Sequence, residues 1–132
     1  VLPENYLLMH PKDAAARNLN EGDMVQIMSA TNPKGEWDLK NGQRRPIVGK
    51  VKVSEGIRPG VVAFPLGYGH WATGANDVVI DGRRVKGDPR RRTGFHANAA
   101  FRTDPKITNM CLTDPIGGSA VFYDTKVKVV RV

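Results

Sequence analysis

Tyr6-Leu7-Leu8-Met9-His10-Pro11-Lys12-Asp13-Ala14-Ala15-Ala16-Arg17-Asn18-Leu19-Asn20-Glu21-Gly22-Asp23-Met24-Val25-Gln26-Ile27-Met28-Ser29 is the stretch whose reading decides the fold. Its first four residues are a short apolar run. A helix then opens with Pro11 at its first position and Asp13 in its first turn, where a missing N–H costs nothing and the dipole favours an acid. Ala14 to Ala16 propagate it, while Asn18 and Asn20 propagate poorly and Gly22 supplies a turn, so the helix is expected to stop near Leu19. Met24 to Ser29 follows as a strand.

Outward from this unit, Ile47, Gly49, Val51 and Val53 alternate with Val48, Lys50, Lys52 and Ser54, the period of a half-buried strand. Asn32-Pro33-Lys34-Gly35 and Asn41-Gly42 are turn chemistry, so residues 31–46 are expected to be a hairpin-like surface excursion. Arg58-Pro59-Gly60 turns the chain into Val61-Val62-Ala63-Phe64. A last strand around Val127 and Val129 sets Lys126 and Lys128 on its other face. Residues 66–120 are rich in Gly, Asn, Asp, Pro and Arg and lack a sustained period. So long an irregular stretch is expected to be ordered functional loops or an arm docked on a parent protein. The class is mainly β, with no internal repeat.

The 132 residues, 40% hydrophobic, suit one globular domain and are too few for a complete multi-cofactor enzyme. No apolar run approaches the roughly 20 residues of a membrane-spanning helix, so the chain is expected to be soluble, without membrane insertion. It begins at Val1 rather than Met, which fits a mature product or a piece of a longer parent. Cys111 is the only cysteine, which excludes an internal disulfide and any thiolate cluster built within the chain. His10, His70 and His96 show no ligand spacing with it, and no nucleophile-elbow motif points to hydrolysis.

A formal charge of +7 points to a polyanionic partner: nucleic acid, anionic lipid or a phosphate-bearing cofactor. Arg83, Arg84, Lys86, Arg90, Arg91 and Arg92 lie together, relieved by Asp88. No Phe, Tyr or Trp occurs between Asp81 and Gly94, so stacking platforms for single strands are missing there.

Three segments, in order, resemble one family. Leu7 to Ala15, with Glu21-Gly22-Asp23-Met24-Val25, is similar to the opening of the molybdopterin-dinucleotide-binding domain of the dimethyl-sulfoxide-reductase superfamily. There a His/Asn-Pro-x-Asp-Ala helix precedes Gly-Asp-x-Val on the next strand. Gly49 to Val62 resembles the strand, turn and strand leading to the pterin-facing glycine loop, here Leu66-Gly67-Tyr68-Gly69-His70-Trp71. Gly94-Phe95-His96-Ala97-Asn98, then Leu112 to Asp124 and the closing Val-Lys-Val strand, complete the match. Gly-Asp-x-Val and Pro-Gly-Val-Val each occur in many β-barrels, so order and spacing carry the resemblance. Asp114-Pro115-Ile116-Gly117-Gly118 is closest to the subgroup of tetrathionate, arsenate and polysulfide reductases.

The resemblance implies a six-stranded double-psi β-barrel with one or two short helices and long loops, spanning residues 1–132. It implies the C-terminal domain of a molybdenum or tungsten bis-pterin oxidoreductase of anaerobic respiration. Such a domain grips molybdopterin guanine dinucleotide, while the metal ligand lies outside the chain, so the domain alone is not catalytic. Its partners would be the remaining domains of the parent and an iron–sulfur electron-transfer subunit, with the parent cytoplasmic or exported. The family usually carries a His- and Thr-rich segment just upstream. Its absence here would leave the barrel a strand short or the cleft partly open.

Within that frame Gly67, Tyr68, Gly69, His70 and Trp71 are expected beside the cofactor, the glycines letting N–H groups approach an anion. The bland reading of Gly-x-Gly is a strand-ending turn. Asn98 can donate and accept toward a pterin or guanine edge, with His96 as companion, or can simply cap its own loop. Asp114 could accept from guanine N1 and N2 and Ser119 could reach a phosphate or ribose oxygen, although Asp before Pro is also a plain turn initiator. Asp13 is read as structural. The competing functions are a free-standing basic barrel binding nucleic acid or a protein partner, and a small double-psi enzyme. The processed serine or paired aspartates of the latter are missing.

Overall fold

The computed structural model describes residues 3–71, 74–108, 110–121 and 123–132. Strand β1 (Tyr6–Met9) leads through helix α1 (Pro11–Ala16) to β2 (Met24–Ser29). A hairpin of β3 (Glu36–Asp38) and β4 (Arg44–Pro46) precedes β5 (Val48–Val53) and β6 (Val62–Ala63). A second hairpin, β7 (Val78–Ile80) with β8 (Arg83–Val85), is followed by a 3-10 turn at Pro89–Arg92 and helix α2 (Ala97–Ala100). A two-residue ladder of β9 (Thr103–Asp104) and β10 (Met110–Cys111) comes before the closing strand β11 (Val127–Arg131).

The main sheet runs β11-β2-β5-β1-β6. β1 and β5 pair in parallel from Tyr6 opposite Lys50 to Met9 opposite Val53, and the other pairs are antiparallel. The expected alternation is visible: Gly49 and Val51 are buried, Val53 packs against the core, and Lys52 is exposed. Leu7, Met9, Val25, Ile27 and Val51 line the inner face, joined by Ile47, Leu19 and Phe95.

One expectation needs correcting. α1 ends at Ala16 rather than near Leu19, because the Arg17 N–H bonds back to Ala14 and Asn18 takes a left-handed φ of 53°. The mainly β class with a few short helices is as expected, and among the described residues the sheet is open rather than closed into a barrel. The largest sheet has five strands and is open at β6 and β11. β6 is only two residues long, and Pro65, which has no N–H to donate, lies just beyond it. The segment after it spends its backbone on small local ladders instead.

Phe95 reaches the core from a loop and is fully buried. It fits because Gly49, on β5, lacks a Cβ, which would collide with the Phe95 ring. Asn5, just before β1, is also fully buried. Its amide donates to Pro65 O at 2.6 Å and Phe95 O at 3.2 Å, while its Oδ1 accepts from Phe95 N at 2.7 Å. One buried side chain therefore ties the sheet to both loops that build the site described next.

Candidate functional site

The loop after β6 lies alongside the loop before α2. Gly69 N donates to Thr93 O at 2.9 Å, and His70 N donates to Arg91 O at 2.8 Å. Gly69 is buried with a φ of 68°, and a Cβ there would stand 2.6 Å from both Gly94 O and His96 N. Only glycine meets both demands, since an L residue pays for positive φ and the neighbouring backbone leaves no room. Gly67 forms an exposed turn at the mouth of this loop, and Tyr68 is half-buried beside it.

This pairing brings His70 against His96, with ring centroids 5.1 Å apart in an edge-to-face arrangement. His96 caps α2: its Nδ1 accepts from Ala99 N at 3.1 Å, so its proton in the neutral form sits on Nε2. Burial, followed by the proximity of His70, pushes the His96 pKa down to about 4. The imidazole is therefore uncharged near neutral pH and offers an N–H donor and an aromatic face. Asn98 follows two residues later on α2 and is exposed.

The hairpin β3–β4 completes the wall, and the sequence reading missed its contribution. Trp37 stacks on His96 at 3.8 Å between centroids. Arg45, directly opposite Trp37 in the ladder, places its guanidinium 4.6 Å from the centroid of Trp71. Arg92 stands 5.2 Å from the same centroid and is held by two donations to Ala75 O, at 2.9 and 2.6 Å. Asn76 donates to Trp71 O, which fixes the loop carrying the indole. Trp37, Trp71 and Asn76 line one cavity. Counting outward from a two-residue Asn41-Gly42 turn pairs Trp37 with Pro46, one position off the observed Arg45, so even this pairing was not written in the sequence. Nothing local said that they would reach residues more than twenty positions away.

Gly69, His70, Trp71 and His96 are thus assembled in one place, with Asn98 adjacent in sequence. Asp114 and Ser119 belong to a separate turn. Asp114 N donates to Ser119 O at 2.8 Å, and the Asp114 carboxylate accepts from Ile116 N at 3.2 Å and Gly117 N at 2.7 Å. The bonds described for this turn stay within residues 112–121.

The basic stretch does not act as one patch. Arg84 pairs with Asp77 at 2.6 Å and Arg90 with Asp88 at 2.9 Å, while Arg92 turns inward to Ala75 and Trp71. The Gly87 N–H, followed by Arg84, holds the Asp77 carboxyl below the usual carboxylate range. Of the six clustered cations, Arg84, Arg90 and Arg92 are thus engaged within residues 71–92, while Arg83, Lys86 and Arg91 are exposed.

Residues 2–105 match the family described as molydopterin dinucleotide binding domain. The chain is 48% identical, over 98% of its length, to a selenate reductase subunit from Mesobacillus selenatarsenatis. It is 32% identical, over its full length, to a tetrathionate reductase subunit from Salmonella typhimurium. It is 35% identical, over 70% of its length, to the arsenate respiratory reductase molybdopterin-containing subunit of Chrysiogenes arsenatis. It spans 12%, 12% and 11% of these relatives, respectively, about an eighth of each.

Proposed function

The chain belongs to the molybdopterin dinucleotide-binding domain family, and from that premise we propose that residues 1–132 form the C-terminal cofactor-binding domain of an oxyanion-reducing oxidoreductase of anaerobic respiration. The domain holds the guanine dinucleotide part of a bis-pterin molybdenum or tungsten cofactor, and the metal ligand comes from elsewhere in the parent. The observation that carries this reading is the wall made where the Gly67–Trp71 loop lies against Gly94–Asn98.

The residues present fit such a group. An indole and two imidazoles suit a flat heterocycle, two guanidiniums suit phosphate, and the Nε of Arg45 is a buried donor with no partner among the described residues. In this reading Gly67, Tyr68, His70, Trp71, His96 and Asn98 face the cofactor, while buried Gly69, expected there too, has its N–H spent on Thr93 O and serves to let the two loops close behind them. Asp114 keeps lone pairs beyond those taken by Ile116 and Gly117, so it and exposed Ser119 are outer contacts to the nucleotide. When bound, the cofactor's metal centre supplies the electron and oxygen-atom transfer. The chain's own work is to orient the pterin and nucleotide and to exclude water around them. The remaining parent domains, and an iron–sulfur subunit that passes electrons, are the partners.

The same reading takes the five strands as part of a six-stranded double-psi barrel, supported by the parallel β1–β5 pair between antiparallel neighbours. Closure needs one more strand, paired with the free edges of both β6 and β11.

The test is cofactor content in the intact parent enzyme. His70→Ala combined with Trp71→Ala lowers the guanine nucleotide released by acid hydrolysis severalfold, with an unchanged melting temperature. Full nucleotide content in that variant would overturn the assignment of the wall.

A further inference from the structure

We propose that Asn41 is a site of self-modification, at which the side chain condenses with the backbone nitrogen of Gly42 and is converted to aspartate and isoaspartate. The inference does not depend on what the aromatic wall binds. Three requirements of the reaction meet at the apex of the β3–β4 hairpin. They are a carboxamide, an adjacent backbone N–H open to solvent, and a donor aimed at the oxygen on which charge develops.

The donor is Gln43 N, which gives its proton to Asn41 Oδ1 at 3.0 Å. That bond folds the carboxamide back over the Gly42 peptide and brings Cγ toward the attacking nitrogen, so part of the ordering precedes the reaction. The same N–H stabilises the oxyanion of the tetrahedral intermediate, as a backbone donor does in acyl transfer. Gly42 is exposed at a φ of 84°, and a Cβ there would meet nothing within 4 Å. Among the described residues its N–H has no acceptor.

The steps balance without an oxidant or reductant. Gly42 N loses its proton to solvent and attacks Asn41 Cγ. The new N–C bond forms, the bond from Cγ to the amide nitrogen breaks, and that nitrogen takes up a proton and leaves as ammonia. Water then opens the succinimide ring. Opening at the side-chain carbonyl gives aspartate, and opening at the main-chain carbonyl gives isoaspartate, which lengthens the backbone by one carbon. Either product places a new carboxylate on the rim of the cavity lined by Trp37, Asp38, Trp71 and Asp77.

Other turns of this kind lack one of the parts. Asp88, Asp104 and Asp114 each accept from the N–H two residues ahead, but each precedes a proline, which has no N–H to attack with. Asp38 accepts from Lys40 N, while Leu39 N is spent on Gln43 O. Among the asparagines, Asn32 precedes Pro33, Asn5 is fully buried, and the nitrogen after Asn98 is held by His96. Asn41 is the only asparagine followed by glycine.

The experiment is peptide mapping by mass spectrometry of the intact parent enzyme, aged in mildly alkaline buffer. Digestion in heavy-oxygen water labels any residue converted during sample handling. Unlabelled aspartate and isoaspartate are expected to accumulate at position 41 faster than at any other asparagine, and severalfold faster in the native enzyme than in enzyme unfolded in guanidinium chloride. The rate should rise with pH, because Gly42 N must lose its proton, and Gln43→Pro, which removes the donor, should slow it severalfold. A native rate equal to or below the unfolded one overturns the inference without recourse to any variant. So do product that is wholly labelled, another asparagine that converts as fast, and a Gln43→Pro rate matching that of the unaltered enzyme.

Discussion

The most informative single residues are those whose chemistry is set by distant neighbours. His96 is capped against Ala99, covered by Trp37 and faced by His70, and its pKa is pushed down to about 4 from 6.5. Because the unfolded chain takes up this proton first, His96 destabilises the fold progressively as pH falls below 6.5, and the penalty stops growing below about 4. An NMR titration of the His96 ring should show a midpoint near 4, and a midpoint above 6 would contradict the packing described. Asn5 makes a second expectation. Asn5→Ala strips Pro65 O and Phe95 O of a donor and Phe95 N of its acceptor, all beside a buried side chain. It should cost about 2–4 kcal/mol in chemical denaturation, since each buried polar group left unmet costs ~1–3 kcal/mol. Gly69→Ala should likewise cost more than about 1 kcal/mol, because the new Cβ meets both a positive φ and the Gly94–His96 backbone.

At the scale of elements, the β3–β4 hairpin is the part of the site that alternation alone did not reveal. It was legible as a surface excursion with turns at Asn32–Gly35 and Asn41-Gly42, yet it lays Trp37 on His96 and Arg45 on Trp71. Trp37→Ala should open His96 to water and raise its pKa from about 4 toward 6.5, a change read directly in the same titration. β1 was read only as a short apolar run, since Tyr6-Leu7-Leu8-Met9 does not alternate, whereas β2, β5 and β11 were readable as strands from their residues. The end of α1 was not, because Asn18 takes a left-handed turn two residues past the helix, a choice local propensity leaves open. Asn5 was invisible for a different reason. Its partners at Pro65 and Phe95 are 60 and 90 positions away, and no periodicity encodes contacts at that separation.

Over the whole molecule, a five-stranded sheet supplies the rigid floor, and the glycine loops with the β3–β4 hairpin raise a wall of aromatic rings and guanidiniums at one place. Sequence order and spacing pointed correctly to the family. They did not make closure of the sheet legible, because barrel closure depends on edge pairings that the residues of β6 and β11 do not specify alone. The +7 charge likewise reads differently once placed: part is cancelled by Asp77 and Asp88, and part is concentrated on Trp71. The most direct test of the central claim is amide hydrogen exchange of the intact parent enzyme with and without its dinucleotide cofactor. Slower exchange on cofactor binding at residues 67–71 and 94–98 is the predicted result. Unchanged exchange there, with protection confined to the β7–β8 hairpin at residues 78–85, would contradict the account.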